Sequence, residues 1–455
     1  MNQWVAVILA AGKGTRMKSK LPKVLHQVAG KSMVRHVADC SLRAGAEKLI
    51  TIIGFGGTEV KEAMADFSQI VEQKEQLGTG HAVQQCIPAL EGYSGDVVIL
   101  CGDTPLLRQT TLAKLVEKHQ MSGDGATVLT AKLSSPTGYG RIIRQGGQVV
   151  AIVEEKDATE EERQVREINT GIYCFKSEKL IEALGSLRND NAQGEYYLTD
   201  TLAYLVGQDV AVGAMVLEDA DEAIGVNSRA QLAQVEGILR KRKNEELMAN
   251  GVTLLDPAST FIDEEVEIGA DTIIYPFTWI EGASKIGEDC RIGPNTRLTN
   301  VEIGDAVEIQ FAYAHDCRID EQVTAGPYVH LRPDTHLKAG VKVGNFMEVK
   351  NSIVGEGTKL PHFSYIGDAD LGKEINIGCG TITVNYDGVK KHRTVIEDGA
   401  FIGCNSNLVA PVRIEKGAYV GAGSTITKDV PAEGLGVSRA KQSNFEGWVK
   451  RRNKS

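Results

Sequence analysis

The sequence predicts two domains of different class: an α/β domain with a mostly parallel sheet, followed by an all-β domain built as a parallel β-helix. Three observations support this division. Strand-length apolar runs alternate with segments of helical spacing in the first half of the chain. Aliphatic residues recur every six positions in the second half. Between the halves lies a charged segment of helical pattern without proline, which predicts one long linking helix.

The first half has the order of a parallel α/β sheet. Residues 4–11, 49–54 and 96–101 are apolar runs with the length of buried strands. Segments with helical spacing, such as 32–44 and 80–89, lie between them. This order is typical of a mostly parallel sheet covered by helices. In such sheets ligands bind at the carboxyl ends of the strands, so the loops that follow the strands are the candidate site.

The second half repeats with a period of six. Aliphatic residues follow one another at this interval without a break at Ile262, Ile268, Ile274, Ile280, Ile286, Ile292 and Leu298. Neither a helix nor an alternating strand has this period, whereas hexapeptide repeats build a parallel β-helix with each aliphatic side chain pointing inward. Chance spacing is the alternative, and an unbroken series argues against it. Residues 384–394 interrupt the later repeats, and a long loop inside a compact domain is often functional.

Length, charge and cysteine usage exclude several classes of function. The 455 residues suffice for two or three domains. The 50 Lys and Arg against 60 Asp and Glu give a net charge of −10 without a dense basic block, which argues against a nucleic-acid partner. No apolar stretch approaches the roughly 20 residues of a membrane span. The eight cysteines form no CxxC pair, so reduced thiols and a cytoplasmic location are predicted. The predicted segments are residues 1–227, 228–250, 251–437 and a tail at 438–455.

The motif LAAGKGTRM at the end of the first strand is the first functional signal. Gly12 and Gly14 allow backbone N–H groups to turn toward an anion. Lys13, Arg16 and Lys23 add positive charge, so the motif predicts a phosphate-binding turn. It is not a Walker sequence, and it lacks the third glycine of GxGxxG. A purely structural glycine turn is the alternative.

This motif resembles the signature of the sugar nucleotidyltransferases. The resemblance continues through Gln73 and residues 76–80, 100–103, 138–141, 153–154, 169–171 and 225–227. With the hexapeptide repeats, nearly the whole chain resembles the bacterial bifunctional UDP-N-acetylglucosamine pyrophosphorylase / glucosamine-1-phosphate N-acetyltransferase family. The resemblance implies a Rossmann-like nucleotidyltransferase domain and a left-handed parallel β-helix joined by the long helix, with one reaction in each domain.

The resemblance implies that the first domain transfers a uridylyl group. A sugar 1-phosphate would attack the α-phosphorus of UTP, and both reactants are anions that the site must neutralise and align. Arg16 and Lys23 would hold the phosphates in catalysis, and Asp103 and Asn227 would bind Mg²⁺, which suits one or two protein oxygens. The residues implied for substrate are Gly12, Gln73, Gly78 and Thr79 for uracil, Gly140, Glu154 and Asn169 for N-acetylglucosamine, and in addition Leu9 and Asn227. Without the family, Asp103 is equally a strand-end turn residue and Glu154 a solvated charge.

The interrupted coils carry the second set of candidates. By resemblance, His362 is the general base that takes a proton from the amine of glucosamine-1-phosphate as it attacks acetyl-CoA, a role suited to imidazole. Glu348 is a candidate to orient that ring. A lone histidine is otherwise more often a packing or surface residue. The residues implied for the sugar phosphate are Arg332, Lys350, Tyr365, Asn376, Asn385 and Tyr386, and those implied for coenzyme A are Cys379, Lys391, Cys404, Ala422 and Arg439.

Two of these residues depart from the family pattern. Cys379 and Cys404 stand where a small Ala and a Ser are expected. A cysteine is small enough for both positions, although its thiol is a weaker hydrogen-bond donor than a hydroxyl. Neither thiol is predicted to act as a covalent nucleophile.

Proteins of this kind resemble trimers that share each acetyl site between neighbouring subunits, so a homotrimer is predicted. The predicted ligands are UTP, acetyl-CoA, Mg²⁺ and the two sugar phosphates. One alternative is a single-activity sugar-1-phosphate nucleotidyltransferase with a structural β-helix, against which the residues around His362 argue. Another is a non-catalytic scaffold with degenerate sites, against which the intact phosphate- and metal-binding residues argue.

Overall fold

The computed structural model describes residues 3–12, 14–54 and 57–452. The chain divides into two compact units, Met1–Leu239 and Arg240–Ser455. This division falls inside one helix, Arg229–Ala249, which forms where the linking helix was predicted. The helix contributes to the core of each unit, because Val235 is buried in the first unit and Leu247 in the second.

The first unit is an α/β domain with one nine-stranded sheet and a separate two-stranded ribbon. Its strands are β1 (Trp4–Ala10), β2 (Gln27–Val28), β3 (Lys31–Ser32), β4 (Lys48–Ile53), β5 (Gln69–Glu72), β6 (Asp96–Cys101), β7 (Ala126–Lys132), β8 (Arg141–Gln145), β9 (Gln148–Val153), β10 (Glu167–Lys176) and β11 (Val212–Val216). Its helices are α1 (Met33–Arg43), α2 (Gly57–Met64), α3 (Thr79–Gln84), α4 (Ile87–Leu90), α5 (Gln109–Ser122), α6 (Glu160–Arg163), α7 (Ser177–Leu184), α8 (Asp200–Gly207) and the shared α9 (Arg229–Ala249).

The sheet has the order β11-β7-β10-β6-β1-β4-β5. Strands β1, β4 and β6 are parallel and almost wholly buried, as continuous apolar runs covered on both faces should be. Strand β10 runs antiparallel to β6 and β7, so the sheet is mixed rather than parallel throughout. Strand β9 is also reversed, because it runs antiparallel to β8, which itself runs antiparallel to β10. The predicted α/β class is confirmed.

The second unit is a parallel β-helix whose described residues form one 26-stranded sheet. Its strands are β12 (Thr253–Leu254), β13 (Thr260–Ile262), β14 (Glu267–Ile268), β15 (Ile273–Ile274), β16 (Thr278–Glu281), β17 (Lys285–Ile286), β18 (Arg291–Ile292), β19 (Thr296–Ile303), β20 (Glu308–Ile309), β21 (Ala312–Ile319), β22 (Thr324–Ala325), β23 (Val329–Leu331), β24 (His336–Leu337), β25 (Lys342–Lys350), β26 (Ile353–Val354), β27 (Lys359–Gly367), β28 (Ala369–Leu371), β29 (Asn376–Ile377), β30 (Ile382–Val384), β31 (Thr394–Ile396), β32 (Phe401–Ile402), β33 (Asn407–Val409), β34 (Val412–Ile414), β35 (Tyr419–Val420), β36 (Thr425–Ile426) and β37 (Leu435–Gly436), followed by the short helix α10 (Trp448–Arg452).

The six-residue period produces the coils. Ile262 pairs with Ile280, and Ile280 pairs with Leu298, so three hexads complete one coil and place the aliphatic side chains in one stack. These side chains form a single continuous core. Leu371 pairs directly with Ile396. The interruption at 384–394 is therefore an excursion from one coil that leaves the stacking register intact, and the predicted β-helix is confirmed.

Among the residues described, the search for a helix long and apolar enough to cross a membrane finds none.

Candidate active sites

A pocket of ≈ 450 Å³ lies at the carboxyl ends of the central strands of the first unit. Backbone contacts bring these ends together: Gly102 N–H donates to the Leu9 carbonyl at 3.0 Å, and Gln73 N–H donates to the Ile53 carbonyl at 2.8 Å. The predicted residues that line the pocket are Leu9, Gly12, Lys23, Gln73, Gly78, Thr79 and Asp103. The sequence prediction therefore identified about half of the lining. The residues it did not assign to the site are Ala11, Val24, Gln76, Ala82, Cys101 and Glu195.

Two glycines shape this pocket in different ways. Gly78 has φ +112°, and a Cβ there would lie 2.6 Å from the Tyr196 carbonyl oxygen, so only glycine lets the two segments meet. Gln73 is 4% exposed, and its Nε2 donates to the Gly78 carbonyl at 3.1 Å, which holds the loop in place. A Cβ at Gly12 would meet no atom within 4 Å, so the space beside Gly12 is open to a ligand.

Lys23, Asp103 and Asn227 converge at the edge of the pocket. Lys23 Nζ donates to Asp103 Oδ2 and, at 3.0 Å, to Asn227 Oδ1. The Lys23 and Asp103 side chains are 13% and 15% exposed. Val226 N–H donates to the Asp103 carbonyl at 2.9 Å, which ties the segment before α9 to the loop after β6. The two oxygens predicted to bind a metal thus already hold one cation between them.

Arg16 stands apart from this cluster. It lies in the turn Thr15–Met17, is exposed, and is not among the described residues that line the pocket. Lys13 lies outside the described residues. Gly14 has φ +59°, and a Cβ there would lie 2.6 Å from Lys23 Cβ, so this glycine permits the close approach of Lys23.

The predicted sugar-binding residues form a neighbouring cluster. Asn169 N–H donates to the Gly140 carbonyl at 2.9 Å, and Asn169 Nδ2 donates to the Tyr173 hydroxyl at 2.7 Å. The Thr199 hydroxyl donates to Glu154 Oε1 at 3.3 Å. No motif in the sequence pointed to Tyr173 or Thr199, which come from β10 and the residue before α8. Only the fold brings them to this cluster.

Glu154 sits in an unfavourable environment for a carboxylate. Burial raises the pKa of Glu154, and the negative charges of Asp200, Asp157 and Glu195 raise it further, against the Thr199 hydrogen bond that lowers it. The cluster lies next to the pocket through Gly171, whose N–H donates to Asn169 Oδ1 at 3.0 Å. A Cβ on Gly171 would be 2.9 Å from the sulfur of Cys101, a residue that lines the pocket.

On the β-helix, His362 is paired with a residue of the preceding coil. His362 is exposed on β27 and in register with Asn345 on β25. His362 Nδ1 lies 2.9 Å from Asn345 Oδ1. With an amide oxygen as partner, Nδ1 carries the proton and donates it, so the lone pair of the neutral ring is on Nε2.

Glu348 does not contact the imidazole, contrary to the role considered for it. It is in register with Tyr365, and its Oε1 accepts from Arg332 Nη1 at 2.8 Å. Asn345 occupies the orienting position instead. The sequence held no signal for Asn345, because the coil length that aligns it with His362 varies along the β-helix.

A cluster of charged and amide groups surrounds Asp368, which the sequence analysis did not select. Asp368 Oδ2 accepts from Asn385 Nδ2 and lies 3.7 Å from Lys350 Nζ. Asn385 Nδ2 also lies 3.3 Å from the Tyr365 hydroxyl. Burial raises the pKa of Asp368, but the hydrogen bonds from Asn351 and Asn385 and the nearby lysines lower it below its usual value.

Lys391 lies in the interrupting loop, beside Lys350. The hydrogen-bond contact with Lys350 and its positive charge lower the pKa of Lys391. Two ammonium groups held this close are suited to an anionic ligand. The structure thus places Lys391, predicted for coenzyme A, next to a residue predicted for the sugar phosphate.

The loop itself is ordered by local contacts. A bridge joins Tyr386 to Lys391, and the Tyr386 hydroxyl donates to the Gly388 carbonyl at 2.7 Å. Asp387 accepts from the backbone N–H of Lys390, from His392 and from a further backbone N–H, and these bonds lower the pKa of Asp387 to about 2. Asn376, at the start of β29, is half-buried and lies outside this loop.

Small residues form a column on three successive coils. Ile377 pairs with Ile402 and Ile402 with Val420, which aligns Cys379, Cys404 and Ala422 two residues later. Arg439 Nη1 donates to the Ala422 carbonyl at 2.6 Å. Four of the residues predicted for coenzyme A therefore lie together at one corner of the β-helix.

Comparison with known proteins agrees with the fold described for each of the two units. Residues 5–229 match the nucleotidyl transferase family, and residues 393–428 match the bacterial transferase hexapeptide (six repeats). The chain is 53% identical over 447 residues to the "Bifunctional protein GlmU" of Geobacillus sp. (strain WCH70), covering 98% of this chain and 97% of the relative. It is 52% identical over 445 residues to that of Carboxydothermus hydrogenoformans, covering 98% and 99%. It is 49% identical over 456 residues to that of Listeria monocytogenes serovar 1/2a, covering 100% of each chain.

Proposed function

The chain belongs to the Bifunctional protein GlmU family, and on that premise we propose that each of its domains performs one transfer reaction in the synthesis of UDP-N-acetylglucosamine. Membership of the family confirms the predicted resemblance and the assignment as a bifunctional transferase. The assignment of one reaction to each domain is supported by the different chemistry of the two sites. One has a carboxylate and an amide oxygen that hold a cation. The other has an oriented imidazole and, at a different position on the coils, two neighbouring lysines.

In the first domain, we propose uridylyl transfer from UTP to N-acetylglucosamine-1-phosphate. The site fits Mg²⁺, because the oxygens of Asp103 and Asn227 already converge on the ammonium of Lys23. Bound Mg²⁺ supplies charge neutralisation for the phosphates of UTP. Lys23, freed from these oxygens, would hold the triphosphate, and Arg16 would add a second cation from the rim. No strong base is required, since the attacking phosphate monoester is already ionised.

The remaining residues of this domain would bind and orient. Gln73, Gly78 and Thr79 would contact the uracil from the floor of the pocket, with Leu9 and Gly12 beside it. The sugar would bind the cluster of Gly140, Glu154 and Asn169. Glu154, whose pKa is raised by burial, would gain a hydrogen-bond partner from a sugar hydroxyl.

In the second domain, we propose acetylation of glucosamine-1-phosphate. The lone pair of His362 Nε2 would accept a proton from the amine as its nitrogen attacks the thioester carbon, and the thiolate of coenzyme A would leave. Arg332, Lys350 and Lys391 would hold the phosphate. The sugar would contact Tyr365, Asn376, Asn385 and Tyr386. Coenzyme A would bind along the column of Cys379, Cys404 and Ala422, with Arg439 near its phosphates.

We also propose that the protein is a homotrimer. His362, Tyr386 and Cys404 are exposed on the surface of the β-helix, whereas a ligand site normally buries most of its ligand. A neighbouring copy would supply the missing wall. Sedimentation should give three times the chain mass of 49.1 kDa, and a monomer with intact acetyl transfer would contradict this. A cytoplasmic location is part of the proposal, because the eight cysteines form no CxxC pair and their usage is typical of reduced thiols.

The test of the proposed function is one incubation. The purified chain is mixed with glucosamine-1-phosphate, acetyl-CoA, UTP and Mg²⁺, and the products are analysed by mass. We expect free coenzyme A, pyrophosphate and UDP-N-acetylglucosamine. Pyrophosphate release that depends on added N-acetylglucosamine-1-phosphate, without any release of coenzyme A, would favour the single-activity alternative instead.

A further inference from the structure

Cys379 and Cys404 stack directly on neighbouring coils. The pairing of Ile377 with Ile402 sets the register two residues before them. On the other side, Asn405 N–H donates to the Cys379 carbonyl at 2.7 Å. The two cysteines are therefore bracketed by aligned backbone on both sides, and both lie in turns at the same corner of their coils.

This alignment satisfies the Cα separation that a disulfide requires. Neighbouring strands lie about 4.7–4.9 Å apart, and the Cα atoms of bridged cysteines are usually about 4.4–6.8 Å apart. Because the two coils are parallel and in register, the Cα–Cβ bonds of Cys379 and Cys404 point in the same direction. Only a small convergence of the two turns is needed to join the sulfurs.

In the strand registers of the described residues, no other two cysteines lie opposite each other. In the strand registers, Cys174 pairs with Val98 and Thr127, and Cys317 pairs with Val301. The remaining ones are Cys40, Cys86 and Cys290, which are buried, and Cys101, which is half-buried. Cys404 is the exposed one of the eight, and Cys379 is half-buried beside it.

We propose that Cys379 and Cys404 form a redox-sensitive dithiol whose disulfide inhibits acetyl transfer. The pairing rests on the register alone. The inhibition rests on the proposed function, which places both residues at the coenzyme A site. A bridge there turns both sulfurs toward each other and draws the two coils together where the acetyl group of acetyl-CoA would lie.

The oxidant is a low-molecular-weight disulfide, RSSR. The exposed Cys404 thiolate attacks one sulfur of RSSR, so that a Cys404–SR bond forms and RS⁻ leaves with the proton that Cys404 lost. The Cys379 thiolate then attacks the Cys404 sulfur and displaces the second RS⁻, which takes the proton of Cys379. The two cysteines lose two electrons, and one RSSR becomes two RSH.

The experiment uses the reduced full chain treated with oxidised glutathione. Trypsin cuts between the two residues, and the bridged product is a pair of peptides, residues 374–390 joined to residues 394–413. A non-reducing gel should show the mass of a single chain, because the bridge is within one coil stack. Acetyl transfer should fall at least tenfold, uridylyl transfer should not change, and dithiothreitol should restore acetyl transfer.

The controls are Cys379→Ala and Cys404→Ser, which restore the family pattern at each position. Each variant is compared with itself before and after oxidation, so its starting activity does not matter. Neither should form the linked peptides. Cys404→Ser should keep its own acetyl transfer after treatment and removal of the oxidant by gel filtration, whereas Cys379→Ala, which lacks the second thiol, should retain glutathione on Cys404. Cys404→Ser should also take up no glutathione at residues 394–413, which identifies the sulfur attacked first.

The outcomes separate the two parts of the proposal. If glutathione remains on Cys404 without a linked peptide pair, or if the bridge joins two chains, the dithiol pairing is wrong. If the linked pair forms and acetyl transfer is unchanged, the pairing stands, and both the inhibition and the placement of these cysteines at the coenzyme A site are wrong.

Discussion

The pocket of the α/β domain and the outer face of the β-helix differ in how much of a site one chain provides. The pocket encloses ≈ 450 Å³ between strand ends and loops. On the β-helix, by contrast, Arg332 and Glu348 are each 38% exposed, and His362 projects from the surface. A sheet with loops at one edge creates a concavity, whereas a solenoid fills its own interior and offers only its sides. This difference supports the proposal that a neighbouring copy completes the second site, whereas the first pocket is formed by one chain.

The largest effect is expected for Asp103→Ala, a variant that tests whether the pocket of the α/β domain functions independently of the β-helix site. Asp103→Ala removes the carboxylate that would hold Mg²⁺, and the loss of several kcal/mol of charge stabilisation should lower pyrophosphate release from UTP about 10³-fold or more. Acetyl transfer, measured as free coenzyme A, should be unchanged. Asp96→Asn, at the opposite end of the same strand, is the matched control and should retain uridylyl transfer. Loss of both activities in a folded Asp103→Ala protein would contradict the independence of the two sites.

The second prediction tests the exposed site in the same way. His362→Ala removes the proposed base and should lower acetyl transfer about 10²–10⁴-fold, with uridylyl transfer unchanged. His315→Ala, a histidine on a different coil of the same domain, serves as the control in the coenzyme A assay. If His362→Ala retained most of its acetyl transfer, the imidazole would be a surface residue without a catalytic role.

A smaller effect is expected from the residue that positions the imidazole. Asn345→Ala removes the acceptor of the hydrogen bond that His362 Nδ1 donates, worth about 1–1.5 kcal/mol, and should lower kcat for acetyl transfer about tenfold. Because Asn345 acts through His362 rather than on the ligand, KM for acetyl-CoA should not change. A rise in KM with constant kcat would show that Asn345 binds substrate instead.

The smallest effect concerns stability and pH in the enclosed site. Because the pKa of Glu154 is raised by burial, its neutral form is favoured in the fold; that contribution is complete below about pH 4.5 and is lost as the pH rises through the raised pKa. Glu154→Gln should therefore raise Tm at pH 8 and should raise it by less at pH 5. It should also raise KM for N-acetylglucosamine-1-phosphate. An equal gain in Tm at both pH values would exclude ionisation as the cause.

Much of the enclosed site could be predicted because its residues belong to the turns that end strands. Gly78, Asp103 and Gln73 each follow an apolar run or a glycine turn, and strand ends of a parallel sheet must meet at one edge. Thr199 and Tyr173 could not be predicted, because they reach the sugar cluster from a helix start and from the reversed strand β10. No motif in the neighbouring sequence indicates that Thr199 and Tyr173 contact the sugar cluster.

Local sequence patterns were enough to predict the class of each domain and to identify the residues with unusual chemistry. Strand and helix periods are local properties, and a period of six can be satisfied only by a coil that stacks on its own copies. The tertiary structure decided which residues meet: Asn345 with His362, Asp368 with Asn385 and Lys350, and Cys379 with Cys404. These contacts join neighbouring coils, and each depends on how many residues one coil contains, a length that the hexad pattern does not hold constant.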